Sequence, residues 1–284
     1  MTALVIAPVL LAAALHSAWN AIAKAAPDRT TVSALIGTVY CVTGAIGAIA
    51  LPLPTPAAVP FIAASVLVQT AYMLLLSAAY ARGEFSQAYP LARGTSVVIV
   101  IAVSVGLLGE TLTPVQSLGV AVVAIALFAL AAPARGTRID LGAVGFAALT
   151  GCAIAAYSLI DGIGVRAAGD AFPYMAWLFL LHGALLVATC LLLLRRQSPR
   201  GMLSLDLRRN LVPGLVGGLL SLIAYGTVVW AQSLAPLAVV SALRESSVLF
   251  AAIIGATLFR ERMTLVRATM TVAAALGIAV IRFG

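Results

Sequence analysis

Val97-Val98-Ile99-Val100-Ile101-Ala102-Val103-Ser104-Val105-Gly106-Leu107-Leu108 is apolar at odd and even positions alike. A strand of a membrane barrel would alternate polar and apolar side chains. The run is therefore read as part of an α-helix, which satisfies its own backbone inside hydrocarbon. The rest of the chain is written the same way. Of its 284 residues 63% are hydrophobic and 9% are Asp, Glu, Lys or Arg, where soluble domains carry roughly 45–50% and about 25%. A water-soluble fold of this size cannot hide that much apolar surface. A hydrocarbon core about 30 Å thick takes roughly 20 apolar residues per helix, which leaves room here for about ten spans.

Apolar runs bounded by Pro, Gly or charge predict spans over residues 3–24, 31–51, 57–81, 88–108, 115–132, 140–162, 172–194, 211–233, 236–258 and 265–282. The breakers fall between them: Pro27 with Asp28, the Pro52/Pro54/Pro56 cluster, Pro114, Pro133, Pro199 and Pro236. The longest polar connection runs over 195–210, too short for a soluble domain. Because apolar character begins at once, the first segment reads as a span and not as a cleaved leader. Cys41, Cys152 and Cys190 are far apart within apolar runs, without a CxxC pair, which points to packing and to neither a metal site nor a disulfide framework. No cofactor is implied.

The formal charge of +8 has the sign of a nucleic-acid binder, but the basic residues form no aromatic-interleaved patch and no nucleic-acid partner is expected. Their distribution reads as topology. Of the 17 Lys and Arg residues, thirteen lie in odd-numbered connections, from Lys24 and Arg29 through Arg135, Arg138 and Arg200 to Arg260, Arg262 and Arg267. Only Arg166 and Arg282 lie in the even-numbered connections or at a terminus. The positive-inside rule then places the odd connections in the cytoplasm and both termini on the other side of the cell membrane.

The run quoted first is preceded by Ala92-Arg93-Gly94-Thr95-Ser96, and this motif returns as Leu243-Arg244-Glu245-Ser246-Ser247-Val248. Without a gap, Gly109-Glu110-Thr111-Leu112-Thr113 then meets Arg260-Glu261-Arg262-Met263-Thr264. Ala71-Tyr72 pairs with Ala224-Tyr225 if the connection before the fourth span is two residues longer than the one before the ninth. The chain thus divides into a first five-helix repeat, 1–138, and a second, 139–284. An odd number of spans per half makes the second enter the membrane inverted, with a pseudo-two-fold axis in the membrane plane, the architecture of many secondary transporters.

Ten spans, the doubled turn after the fourth and ninth spans, and a His-Ser-Ala-Trp-Asn opening at 16–20 resemble the drug/metabolite transporter superfamily, EamA-type branch. The resemblance covers essentially the whole chain. It implies an all-α integral membrane protein of ten transmembrane helices, built as two inverted five-helix repeats around a central cavity lined partly by the third, fourth, eighth and ninth helices. It also implies secondary transport, in many relatives export of amino acids and other small metabolites.

Ionisable groups inside spans cost roughly 2.5–3.5 kcal/mol each on insertion scales and normally face a cavity or a partner. Arg93 and Arg244 occupy equivalent repeat positions, and a planar guanidinium fork suits a carboxylate, phosphate or sulfonate; the competing reading has each snorkel to its interface or pair with an acid. Glu245, about 100° round the helix from Arg244, either neutralises an arginine or serves a substrate ammonium or a coupling proton. His16, Trp19 and Asn20 share one helix face, which marks a lumen or an interhelical hydrogen-bond seam, and His16 is a proton-coupling candidate. Tyr157 and Asp161 share a face of the sixth span; Asp161 reads as a second such candidate or as an interfacial carboxylate at the span's end. Gln69, Tyr72, Tyr89, Ser96, Tyr225, Trp230 and Ser247 complete the candidate substrate-binding set, with aromatic interface belts as the alternative for the rings. His182 has no patterned company. Gly214 and Gly218, at GxxxG spacing, are explained by close helix packing.

The leading expectation is a secondary active transporter, an exporter of a small polar metabolite such as an amino acid or another anionic or zwitterionic compound, working by alternating access. A flippase for a lipid-linked, phosphate-bearing intermediate would use the same arginines. An intramembrane enzyme is disfavoured by the absence of HExxH or any paired acid motif in the sequence, and a nucleotide-driven pump by the absence of a Walker motif.

Overall fold

The computed structural model describes residues 3–131, 140–197, 207–260 and 264–283, and all the regular structure among them is helical. The helices are α1 (Ala3–Ala25), α2 (Arg29–Ala50), α3 (Val59–Arg82, entered through a 3-10 turn at Pro56–Ala58), α4 (Phe85–Gly106), α5 (Pro114–Ala131), α6 (Leu141–Ala168), α7 (Ala171–Gln197), α8 (Leu207–Leu234), α9 (Leu237–Arg244), α10 (Ser247–Thr257) and α11 (Leu265–Phe283). Nine described segments are long and apolar enough to cross a membrane, counting α9 with α10 as one, and the apolar stretch Leu265–Val280 of α11 is a shorter tenth. Arg135, Arg138, Arg200, Glu261, Arg262 and Met263 lie outside the described residues, as does the expected junction at 138.

Local chemistry starts α2 at an expected breaker and α6 at the expected start of its span. Asp28 caps α2 by accepting from the Thr30 N–H at 2.9 Å, and Asp140 caps α6 by accepting from Gly142 N at 2.8 Å and Ala143 N at 3.3 Å. Three boundaries differ from the sequence expectation. α6 runs on to Ala168, six residues past the predicted end at 162. α8 begins at Leu207, and α7 continues through Gln197, so much of the expected polar connection is helical. The connections before the fourth and ninth spans are of equal length, Gly83-Glu84 and Ala235-Pro236, so the two-residue difference expected there lies within the helices instead.

The repeat is written in the backbone itself. In the first half Leu107 N bonds Val103 O and Leu108 N bonds the same carbonyl; 151 positions on, Leu258 N and Phe259 N both bond Ile254 O. Thr113 Oγ1 accepts from Gln116 N at 3.1 Å, and Thr264 Oγ1 from Arg267 N at 3.2 Å, so the Thr that closes each turn motif caps the last helix of its half. Gly109, with φ 69°, and its equivalent Arg260, with φ 52°, share the left-handed conformation that lets the chain turn between them. Packing obeys the same exchange: α1 lies on α8 as α3 lies on α6, while the pairs α2–α7 and α5–α11 map onto themselves.

Even-numbered connections meet at one face: Thr55 Oγ1 donates to Ala167 O, and Arg166 donates to Ala235 O at 2.9 Å and Gln232 O at 3.0 Å. Odd-numbered ones meet at the other, where Lys24 Nζ donates to Tyr80 O and Gly83 O at 2.8 and 2.7 Å, and Arg267 pairs with Glu84 at 3.5 Å. Small residues permit the close crossings. A Cβ on Gly183 of α7 would sit 2.4 Å from Cys41 N of α2, and one on Gly214 of α8 would sit 2.4 Å from Leu35 Cβ of α2.

Helix α9 follows Pro236 and has no capping side chain of its own. Glu110, from the turn motif of the other half, supplies one: Oε1 accepts from Leu237 N at 2.9 Å and Oε2 from Ala238 N at 3.0 Å. A carboxylate there satisfies two orphan donors and opposes the helix dipole, while Arg166 flanks it at 3.5 Å. Replacing a capping side chain typically costs about 1 kcal/mol. Glu110→Ala is expected to lower the thermal midpoint of the purified protein, and Glu110→Gln to recover part of the loss. An unchanged midpoint in Glu110→Ala would show that the cap adds no stability.

Candidate substrate site

The ninth span is interrupted where its charges sit. The sequence predicts one helix over 236–258; instead α9 ends at Arg244 and α10 begins at Ser247. The link is a tight turn in which Glu245 N bonds Ala242 O, Ser246 N bonds Leu243 O and Val248 N bonds Glu245 O, all three residues back. A stretch of 3-10 bonding inside a helix is a common place for a hinge. The equivalent stretch of α4, around Arg93, stays helical. The halves thus differ at one chemically decisive position, Gly94 in the first against Glu245 in the second.

Arg93 and Arg244 are 2% and 3% exposed, so neither reaches for an interface. Arg93 is bound by the acid of the other half: its Nε donates to Glu245 Oε2 at 3.1 Å, and its Nη2 lies 2.9 Å from Oε1. Arg244 Nη1 donates to Ser158 Oγ at 3.1 Å, and its guanidinium carbon stands 5.9 Å from the centre of the Tyr225 ring. Arg93 Nη1 and Arg244 Nη2 are buried without any partner, and Arg93 Nη2 meets only the Glu245 carboxylate, as an ion-pair contact and not as a hydrogen bond.

Both arginines line one narrow hollow, together with His16, Tyr225 and small residues of α1 and α8. A second, larger hollow shares His16 and Tyr225 with the first and is lined by Trp19, Tyr40, Gln69, Tyr72, Tyr157, His182 and Ser221 among others. Each is narrow, with room for little more than a water at a time. The conformation is a closed one.

Of the residues expected from sequence, Arg93, Arg244, His16, Trp19, Gln69, Tyr72, Tyr157 and Tyr225 line one hollow or both. Glu245 touches the site through Arg93. His16 is fixed, its Nδ1 accepting from Trp19 Nε1 at 3.3 Å. Asn20 is a seam residue, donating to His16 O and accepting from the Tyr80 hydroxyl, both at 2.8 Å. Ser96 bonds back to Arg93 O at 2.9 Å. Tyr89 lies beside Ser17 at 3.5 Å, and the Ser17 hydroxyl donates to Ser247 O at 2.5 Å, which ties α1 to the broken span. Trp230 is half-buried and lines neither hollow.

Asp161 is not at an interface. With α6 extended to Ala168 it lies two turns inside and is fully buried, accepting from Tyr174 at 2.7 Å, Gln69 Nε2 at 3.1 Å and the Tyr225 hydroxyl. Sequence reasoning passed over Ser158 and Tyr40 and gave His182 no role. Ser158 stood three residues before Asp161, a spacing that puts the two on one face of the helix. His182 and Tyr40 carried no local pattern, because their neighbours lie on other helices: they meet each other across the α2–α7 crossing, and Tyr40 also reaches Ser221 of α8.

Removing one partner of a buried pair strands the other as a bare charge, at a cost of about 3–5 kcal/mol, whereas replacing both by apolar groups is often neutral. Glu245→Gln is therefore expected to destabilise the protein more than the double variant Glu245→Leu/Arg93→Met, measured by thermal unfolding in detergent. A double variant at least as unstable as the single would contradict the pairing.

The model of the EamA-like transporter family matches residues 141–283, just over half of the chain. No curated protein sequence matches it. The fold is similar to that of a solved structure described as a crystal structure of a protein, with a TM-score of 0.71 over 97% of this chain and 98% of the other at 17% identity. Among the described residues no three His, Cys, Asp or Glu side chains come together as metal ligands. The chain belongs to the EamA-like transporter family of the drug/metabolite transporter superfamily, multi-pass membrane proteins that carry small solutes.

Proposed function

We propose that this chain is a secondary active transporter that exports a small anionic or zwitterionic metabolite, such as an amino acid, and that Arg93 and Arg244 hold its anionic end. The observation that carries the reading is the pair of buried, unpartnered nitrogens, Arg93 Nη1 and Arg244 Nη2, on one hollow between the halves. Buried donors without partners are costly and rare in folded proteins, and charged ones more so. An acceptor-rich anion answers both at once. The repeat, with units 1–138 and 139–284, delivers one guanidinium from each half, so rocking of the halves would change access while the anion stays between them.

The turn at Glu245–Ser246 is the moving part in this reading. It carries Arg244 and Glu245 together, and α9 above it is clamped at its start by Glu110. Arg93 can serve Glu245 or the cargo, and exchange of one for the other is the coupling event, with Glu245 leaving as the proton carrier. His16 and Asp161 suit that task less, because the Nδ1 of His16 and both oxygens of Asp161 are already engaged by fixed donors. The face bearing Glu110 and Arg166 would be the non-cytoplasmic one, with both termini on that side, by the positive-inside distribution.

Thermal-shift titration of the purified protein with amino acids, organic acids, amines and a lipid-linked phosphate tests the reading. Stabilisation by anionic or zwitterionic small molecules is expected, weakened about tenfold or more in Arg93→Lys and in Arg244→Lys, since a charged hydrogen bond contributes about 1.5–3 kcal/mol. Stabilisation by amines alone would overturn it, and stabilisation by the lipid-linked phosphate alone would favour a flippase. In proteoliposomes, an imposed pH gradient is expected to drive uptake or release in the wild type and not in Glu245→Gln.

A further inference from the structure

The larger hollow has a wall that the arginine site does not explain. Rings of its lining follow one another, Tyr72 to Tyr157 at 5.3 Å, Tyr157 to Tyr225 at 5.4 Å and Tyr40 to His182 at 5.4 Å, while Phe179, behind the lining, lies 6.4 Å from Tyr225 and 5.2 Å from Tyr40. Several polar tips in this wall are already engaged. The hydroxyls of Tyr40 and Ser221 are 2.5 Å apart, Gln69 Nε2 donates to Ser65 at 2.9 Å and to Asp161, Tyr225 donates to Asp161, and His16 accepts from Trp19.

His182 is the exception. It is 2% exposed, and both ring nitrogens are buried with no hydrogen-bond partner, the only such atoms in the lining of this hollow among the described residues. An imidazole stranded in a dry interior is costly, and a neutral one offers both a donor and an acceptor. α7 could have carried Leu or Phe here at no such cost; much of the helix, 191–194 for instance, is plain leucine.

We propose that the larger hollow seats the substrate's side chain and that His182 reads an uncharged hydrogen-bonding group at the tip of that side chain, a hydroxyl, amide or ring N–H. This rests on the reading that Arg93 and Arg244 hold the anionic end in the adjoining hollow, with which the larger one shares His16 and Tyr225. The wall supports a neutral tip. Its rings and Met73 offer apolar contact, and the one nearby carboxylate, Asp161, already accepts three hydrogen bonds. A cationic or anionic tip would find no free counter-charge there among the described residues.

The test uses ligand pairs of matched shape that differ at the tip: asparagine against leucine, and tyrosine against phenylalanine. Affinities of the full-length protein in detergent are measured by calorimetric titration for the wild type, His182→Phe and His182→Gln. The wild type is expected to prefer the polar member of a pair by roughly tenfold, the worth of one hydrogen bond. His182→Phe should lose that preference while keeping its affinity for the apolar member, and His182→Gln should retain part of it. Equal affinity for both members in the wild type, or a preference that survives in His182→Phe, would overturn the proposal and leave the arginine reading standing. Should His182→Phe fail to fold, a preference unchanged in His182→Gln from its wild-type value would overturn it as well. Binding of both members that survives Arg93→Lys/Arg244→Lys, or no binding of any of the four, would remove the arginine reading and this proposal with it.

Discussion

A guanidinium buried in protein at membrane depth must find negative charge, and this fold arranges that each half cannot do so alone. Arg93 of the first half is held by Glu245 of the second, with a 3.1 Å hydrogen bond and a 2.9 Å contact between sealed side chains. Arg244 has no equivalent acid, because Gly94 stands where symmetry would put one. It leans on Ser158 and the face of Tyr225 instead. The asymmetry is the useful feature. Two identical pairs would close the interior, whereas two cations sharing one directly bonded anion leave it short of acceptors where the halves meet.

Around that constraint the rest of the structure is scaffolding of two kinds. Glycines let α2 approach α7 backbone to backbone, as at Gly183 against Cys41, and let the Leu35 side chain of α2 seat on α8 at Gly214, which gives close crossings without polar glue. Polar ties act where rigidity would be a fault. Glu110 clamps the start of α9 from the other half, and the Ser17 hydroxyl reaches Ser247 O just past the turn. The short helix carrying Arg244 is therefore held at both ends by groups able to exchange partners, while its surroundings pack as fixed bodies.

The helical membrane architecture was legible because burial in lipid leaves few alternatives: runs such as 97–108, apolar on both parities, admit only a helix. The repeat was legible because Arg93 and Arg244, with Thr113 and Thr264, keep one offset, and the matching caps at Gln116 N and Arg267 N show why those threonines are there. Legibility stopped where tertiary contact overrides local pattern. Local propensity points the wrong way at 245–246: it would put a helix break at Gly94 in the first half, whereas the break falls at Glu245 in the second. Asp161 was left open between an interior and an interfacial carboxylate because the span was ended at 162, where polarity rises, although the helix continues to Ala168. Trp230 fell outside the hollows because a single ring on an apolar helix does not reveal which face is inward. His182 was given no role for a related reason: its significance lies in what it lacks, and an absent partner across α2 and α7 has no signature along one helix.

The account turns on whether an anion sits between the two guanidinium groups. The most direct measurement is an anomalous difference map from crystals of the protein grown with a bromine-substituted carboxylate. A peak between Arg93 and Arg244, displaced from Glu245, is the predicted result. Density confined to the basic connections at the membrane faces, with the interior unoccupied, would contradict it.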